Sequence, residues 1–243
     1  MKLENISIVM VGTTHPGNIG AAARAMNNMC INKLVMVSPK CPVGEVAYAR
    51  ASGAHSILDE RRTVDTLEEA LKDCELVIGS TARIRSLSWP ELSTTEMTEK
   101  TWSLSDESRV AIVFGREHSG LTNDELQLCN YMVTIPTNPD FSSLNVASAI
   151  QVFCYEIYKM LDQGEVVDSV APSEPTATSF DLEGYFQHLE QVLITTGYLD
   201  ADNPRQLLQR LRRLYQRANL SKNEVNILRG ILSSIEKPKI KKQ

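Results

Sequence analysis

Four short regions, three after apolar runs and one opening a helix, hold the residues that could do chemistry. Residues 113–126 read VFGREHSGLTNDEL, and Gly115, Gly120 and Thr122 fall at the spacing of the phosphate-cradling loop G-x-x-x-x-G-K-[ST]. Leu121 stands where that loop needs its lysine, and no carboxylate follows a clear apolar run to hold magnesium. A nucleoside triphosphatase is therefore disfavoured. What is left is a glycine turn at a strand end that exposes backbone groups, with Arg116 and Glu117 inside it.

Residues 13–26 read TTHPGNIGAAARAM. Pro16-Gly17 reads as a turn and Asn18 as a helix cap, and the small residues that follow let a helix approach another backbone closely. Arg24 is a large cation amid small residues, which suggests a task beyond surface charge. Residues 79–85, GSTARIR, place Arg83 and Arg85 just past a strand end, where ligands of α/β sheets bind. These arginines could hold a phosphate or a ribose, or simply face solvent. Trp89-Pro90 suits packing better than base stacking. Residues 138–149, NPDFSSLNVASA, lead into a long helix that Ser142 or Ser143 can cap, with Asn145 in its first turn. No serine here lies in a G-x-S-x-G elbow, so a serine hydrolase has little support.

Elements must place these loops together. Strands are expected at Ile6–Val11, Lys33–Val37, Leu76–Gly79, Val110–Phe114 and Met132–Ile135, and helices at Ile19–Met29, Leu67–Lys72, Asn123–Leu128 and Leu144–Leu161. That alternation predicts an α/β domain with a mainly parallel sheet. Thr66 with Glu69 and Thr122 with Glu125 read as capping boxes. The helix from Leu144 is apolar nearly all round, so either the sheet and another helix enclose it or, the favoured expectation, a second subunit does.

Residues 162–179, DQGEVVDSVAPSEPTATS, read as a linker. The expected division is therefore 1–162, a linker at 163–179, and a small α-helical domain of three amphipathic helices over 180–243. Arg210, Arg213 and Arg217 form a stripe on its middle helix, with Arg212 and Arg229 nearby. The net charge of −5 hides an asymmetry: residues 205–243 hold eleven Lys/Arg against Glu224 and Glu236, a balance of +9, which leaves −14 on the first 204 residues. A basic end on an acidic body suggests contact with a polyanion, although a solvated face would also explain the stripe. The five cysteines are odd in number, widely spaced and without C-x-x-C, so they are expected to be reduced, and with four scattered histidines no metal site is expected. No apolar run is long enough for a membrane span or built like a signal peptide, which reads as a cytoplasmic protein.

In order and spacing, Asn18 through Arg24, FGREHSGLT at 114–122 and SSLNVASA at 142–149 resemble the three motifs of the SPOUT superfamily of RNA methyltransferases, in its ribose 2′-O-methylating branch. The match spans the first domain. Residues 211–218 and 226–232 are similar to the helical C-terminal extension of bacterial members that methylate cytidine or uridine at position 32 of the tRNA anticodon loop. The resemblance implies an α/β domain closed by a C-terminal trefoil knot, a homodimer, tRNA as substrate, and S-adenosylmethionine as methyl donor with no metal. The donor would be held by Ser80, Thr81 and Ala82, by Gly115 and Arg116, and by Ile135, Ser142, Ser143 and Leu144. Gly115 and Gly120 would be required because a side chain obstructs the ligand or a chain crossing. Arg24 would be the central catalytic residue, with Asn18, Glu117, Ser142, Ser143 and Asn145 around it, and Arg83, Arg85, Arg210, Arg213 and Arg217 would meet RNA. A ribose methylase for another RNA site, or a non-catalytic RNA-binding protein on the same fold, are the alternatives.

Overall fold

The computed structural model describes residues 2–82, 89–162, 174–202 and 206–236. The first domain runs β1 (Ile6–Val11), α1 (Pro16–Asn28), β2 (Lys33–Val37), α2 (Glu45–Ala51), α3 (His55–Asp59), β3 (Arg62–Val64), α4 (Leu67–Leu71) and β4 (Leu76–Ser80). It continues with β5 (Glu91–Leu92), α5 (Thr94–Trp102), β6 (Val110–Phe114), α6 (Asn123–Gln127), β7 (Tyr131–Val133) and α7 (Val146–Asp162). The strands form one sheet in the order β3-β2-β1-β6-β4-β7-β5, and every pairing is parallel.

A parallel sheet covered on both faces needs apolar residues at successive positions, and β1 shows why. Ile6, Ile8 and Met10 belong to the core under α1 and α7, while Val9 and Val11 belong to the opposite core with Leu71, Leu121 and Leu126. Small residues let α1 and α2 pack closely. A Cβ on Gly20 would sit 2.0 Å from the Ala47 carbonyl oxygen.

The five expected strands are present, although β7 starts one residue earlier and stops at Val133. The short elements α2, α3, β3 and β5 were not expected, nor was α5, whose sequence is mostly threonine and glutamate; the equally short α4 and α6 were found by their capping residues. Its start carries a capping box between Ser93 and Glu96. Thr122 and Glu125 form the expected reciprocal box, whereas Thr66 accepts from the Glu69 N–H without the returning carboxylate bond. Helix α1 begins at Pro16 rather than Ile19, because proline at the first helical position surrenders an N–H that has no partner there. Asn18 is therefore inside the first turn and is not the cap.

Helix α7 buries Ala147, Ala149, Ile150, Phe153, Cys154 and Ile157 and packs on α1 and α5. Tyr155 and Leu161 remain exposed, so one chain covers only part of its apolar surface.

Helices α8 (Ser179–Thr195), α9 (Leu207–Arg217) and α10 (Lys222–Glu236) form the second domain around Tyr185, Phe186, Leu189, Val192, Val225 and Leu232. The described end of the expected linker is packed. Ala177 is buried, its N–H donates to the Leu220 carbonyl, and Thr178 caps α8 in a reciprocal box with Asp181. The two domains touch. The Ser179 and Phe180 N–H groups donate to the carbonyls of Cys74 and Lys72 after α4, so the start of one helix satisfies the end of another. Gln216 donates to the Gln127 carbonyl at 2.8 Å, and the Tyr131 hydroxyl to Asn219 at 3.2 Å.

Candidate active site

The loops that leave β4, β6 and β7 meet in one pocket beyond the carboxyl ends of those strands. Its first wall is Ser80, Thr81 and Ala82, its second runs from Phe114 to Leu121, and its third includes Ile135, Thr137, Ser142, Ser143 and Leu144. All nine residues expected to hold a cofactor line it. Arg83 and Arg85 lie outside the described residues.

The second wall is a tight hairpin in which the Arg116 N–H donates to the Gly120 carbonyl and the Gly120 N–H to the Arg116 carbonyl. A Cβ on Gly115 would lie 2.1 Å from the Gly120 carbonyl carbon, and Gly120 has φ +67°, a conformation other residues rarely take. These glycines serve the hairpin's own closure, and both also line the pocket.

Two successive side chains hold the hairpin from opposite sides. Arg116 makes a two-pronged bond to Glu125, 2.9 Å on each arm. Its guanidinium is thereby turned onto α6, which leaves the backbone of this residue for the pocket, as the resemblance implies. Burial works to raise the Glu125 carboxyl, but Arg116 and the Thr122 N–H outweigh it and hold the group below the ordinary range. The hydrogen bond to Glu125 raises the Arg116 guanidinium.

Glu117 reaches the other way, to the start of α1. Its carboxylate accepts from the Thr14 N–H (3.2 Å), the Thr14 hydroxyl (3.0 Å), the His15 N–H (3.3 Å) and the Asn18 amide (3.1 Å). His15, at the cap position, supplies no side-chain bond, so the carboxylate closes the helix end. Burial would raise this carboxyl; the bonds from Asn18 and Thr14 prevail and lower it.

The relay continues. The Asn18 side-chain oxygen Oδ1 accepts from the Asn145 side-chain amide at 3.0 Å, and the Asn145 Oδ1 accepts from the Ala147 N–H at 2.9 Å. Asn145 is thus the cap of α7, and Ser142 and Ser143, free of that duty, line the pocket instead. Because the α7 N–H fixes which end of Asn145 accepts, it also fixes Asn18 with its NH2 toward Glu117. One hydrogen-bonded line therefore joins all three motif regions.

In a doubly wound sheet a ligand would sit at the β1/β6 switch point against the start of α1, a site that favours anions. Here a carboxylate of the protein occupies it, and the pocket lies one strand further on. The pocket combines hydroxyls of Ser80, Thr81, Thr137, Ser142 and Ser143 with apolar Phe114, Leu121, Leu126, Ile135 and Leu144. Such a lining suits an uncharged ribose and adenine and offers no lysine for a phosphate chain. Among the described residues no cluster of His, Cys, Asp and Glu could hold a metal ion, and no helix is long and apolar enough to cross a membrane.

Arg24 does not line the pocket. It is exposed on α1 and forms no ion pair among the described residues. On α9, Arg210 and Arg217 are exposed, whereas Arg213 is half-buried with its guanidinium 5.8 Å from the Trp89 ring centre, and Arg212 is bonded to Glu183 at 2.6 and 2.8 Å. Arg213 therefore takes part in the domain contact, which leaves Arg210 and Arg217 as the exposed members of the expected stripe. Trp89 is buried, as packing required. Sequence reasoning missed Thr14 as a partner of Glu117, and His118, Ser119 and Thr137 as pocket lining; only their position inside the quoted motifs or beside them pointed to these residues.

Residues 5–155 match the model of the SpoU rRNA methylase family, and residues 180–243 match that of the C-terminal domain of the tRNA methyltransferase TrmJ. The chain is 49% identical to the tRNA (cytidine/uridine/adenosine-2′-O-)-methyltransferase TrmJ of Pseudomonas aeruginosa, over 97% of this chain and 95% of that one. It is 46% identical to the tRNA (cytidine/uridine-2′-O-)-methyltransferase TrmJ of Cronobacter sakazakii, over 96% and 97%. Its fold superposes on the crystal structure of TrmJ from Z. mobilis ZM4 with TM-score 0.83 at 33% identity, covering 95% of this chain and 99% of that one. With its second and third motifs on one pocket, the first tied to both by hydrogen bonds, and both parts of the chain matched, the protein belongs to the SpoU methylase family, in the SPOUT superfamily, and carries a C-terminal domain of the TrmJ type.

Proposed function

We propose that the protein transfers a methyl group from S-adenosylmethionine to the ribose 2′-hydroxyl of cytidine or uridine in tRNA, at position 32 of the anticodon loop. The observation that carries this is one pocket lined by the loop after β4 and by the second and third motifs, with the first motif tied to both by the line Glu117–Asn18–Asn145. Near full-length identity to tRNA 2′-O-methyltransferases supports the substrate class. Position 32 rests on the C-terminal resemblance alone.

The bound donor supplies an activated methyl, so the chain's residues have to hold, align and assist loss of one proton. Ser80, Thr81 and Ala82, the Gly115–Arg116 backbone, and Ile135 with Ser142, Ser143 and Leu144 would hold it. Glu117, Asn18 and Asn145 keep the walls in register. A guanidinium keeps its proton, so Arg24 acts by positioning a substrate phosphate or ribose, and proton loss is assisted by Ser142, Ser143 or solvent.

The division of labour places the chemistry in residues 1–162 and the grip on the tRNA body in 180–243, joined by 163–179. Arg210 and Arg217 offer open cations for phosphate. The outer face of α7, with Tyr155 and Leu161 exposed, suits the homodimer. The trefoil knot and a cytoplasmic location belong to the same proposal. Labelled S-adenosylmethionine incubated with unmodified tRNA transcripts, followed by nuclease digestion and mass spectrometry, tests it: a 2′-O-methyl group at nucleotide 32 is the expected product, and its absence from tRNA overturns the proposal.

A further inference from the structure

Most aromatic rings near the pocket are committed to packing. Phe114 and Phe153 meet edge-on at 5.2 Å in the core, and Trp89 is buried with its Nε1–H bonded to the Cys129 carbonyl. Phe141 differs. It is 80% exposed, while the segments on either side of it, at Thr137 and at Ser142 to Leu144, line the pocket. The other rings exposed to a similar degree, Phe180 and Tyr198, belong to the helical domain.

The exposure does not come from a loose loop. The Phe141 N–H donates to the Asn138 carbonyl at 3.0 Å, the Asn138 side chain accepts from the Asp140 N–H at 3.0 Å, and the Thr137 hydroxyl donates to the Ser142 carbonyl at 3.2 Å. Bonds from both sides thus brace a turn whose tip is an apolar ring. Its neighbours Asn138, Pro139, Asp140 and Ser143 are themselves exposed, and the one other exposed large apolar side chain of this segment, Leu144, lines the pocket. A subunit interface needs a contiguous apolar face, which α7 offers through Tyr155 and Leu161 and this turn does not. A single rigid ring beside a reaction pocket is instead the form that proteins use to hold an unstacked base of a single-stranded loop.

We infer that Phe141 stacks on a nucleobase of the RNA strand at the reaction site, either the base of the methylated nucleotide or its immediate neighbour. This rests on the proposed function and deepens it. Every base has a π-face, so a stacking ring holds the nucleotide without choosing between cytidine and uridine.

The test uses the full chain and an anticodon stem–loop RNA, comparing the wild type, F141A and F141W. Phe141→Ala is expected to lower kcat/KM by about 10–100-fold, mainly through the KM for RNA, with donor affinity by calorimetry and oligomeric mass by light scattering unchanged. Phe141→Trp should stay within about threefold of the wild type. An abasic nucleotide at one of those two places should bring the wild type down to the level of F141A and leave F141A no worse. Equal kinetics of F141A and the wild type would overturn the inference while the proposed function stands. So would a loss of donor binding or a change of mass in F141A, which would assign the ring to the cofactor or to a second copy of the chain. A wild type that binds the donor but methylates no RNA would remove the proposed function and this inference together.

Discussion

Helices α1 and α6 both start in loops at the carboxyl edge of the sheet, yet their first turns are closed in different ways. At α6 the Thr122 hydroxyl and the Glu125 carboxylate exchange bonds with each other's N–H groups within four residues. At α1 the carboxylate comes from Glu117, about a hundred residues along the chain, and it takes up Asn18 as well. A local cap decides where a helix begins. A distant one also decides what the helix stands beside, and here that is the wall of the pocket.

The contrast can be broken in several ways. Gly115→Ala is expected to do the most damage, because its Cβ would meet the Gly120 backbone and not a yielding side chain. It should cost about 3 kcal/mol of stability and at least ~100-fold in donor affinity, read by thermal denaturation and calorimetry. Arg24→Lys keeps the charge but loses the planar fork; turnover should fall about 100-fold with donor affinity unchanged, and near-normal turnover would end the positioning role.

Asn18→Asp places a second carboxylate 3.1 Å from that of Glu117. Like charges this close cannot both ionise at low cost, so stability should drop by about 2 kcal/mol at neutral pH and partly recover in mild acid. Glu117→Gln, of similar shape, should cost about 1–3 kcal/mol, against about 1 kcal/mol for the local cap mutant Thr122→Ala. Similar losses of donor affinity in these two would abolish the distinction between distant and local caps.

Acid sharpens it further. The folded Glu117 carboxyl is lowered, so its contribution is present above the unfolded value of 4.5 and is lost as the pH falls through the lower folded value. Melting temperature plotted against pH should therefore decline below about 4.5 more steeply in the wild type than in the Glu117→Gln variant.

Much of this architecture was legible in the chain. The recurring apolar runs gave the sheet, since strands covered on both faces are apolar at most successive positions. Thr122-Asn-Asp-Glu125 marked its helix because every partner is local. The nine proposed pocket residues were found through the resemblance and not through periodicity. What was misread depended on distant partners: Asn18 resembles a cap by residue type, but Pro16 starts the helix and Glu117 leaves Asn18 free to bridge to Asn145. Arg213 matches the spacing of Arg210 and Arg217, yet only the docking of α9 beside Trp89 turns it inward.

The sequence by itself determined the alternation of strands and helices, the local caps, the separate helical domain and the glycine hairpin, since each follows from side-chain type and near-neighbour spacing. Tertiary structure decided which strands lie side by side, and hence that Glu117 fills the anion site at α1 and the pocket opens one strand away. Hydrogen bonds between residues about a hundred positions apart have no periodicity to announce them; they exist only once the sheet has set the distances.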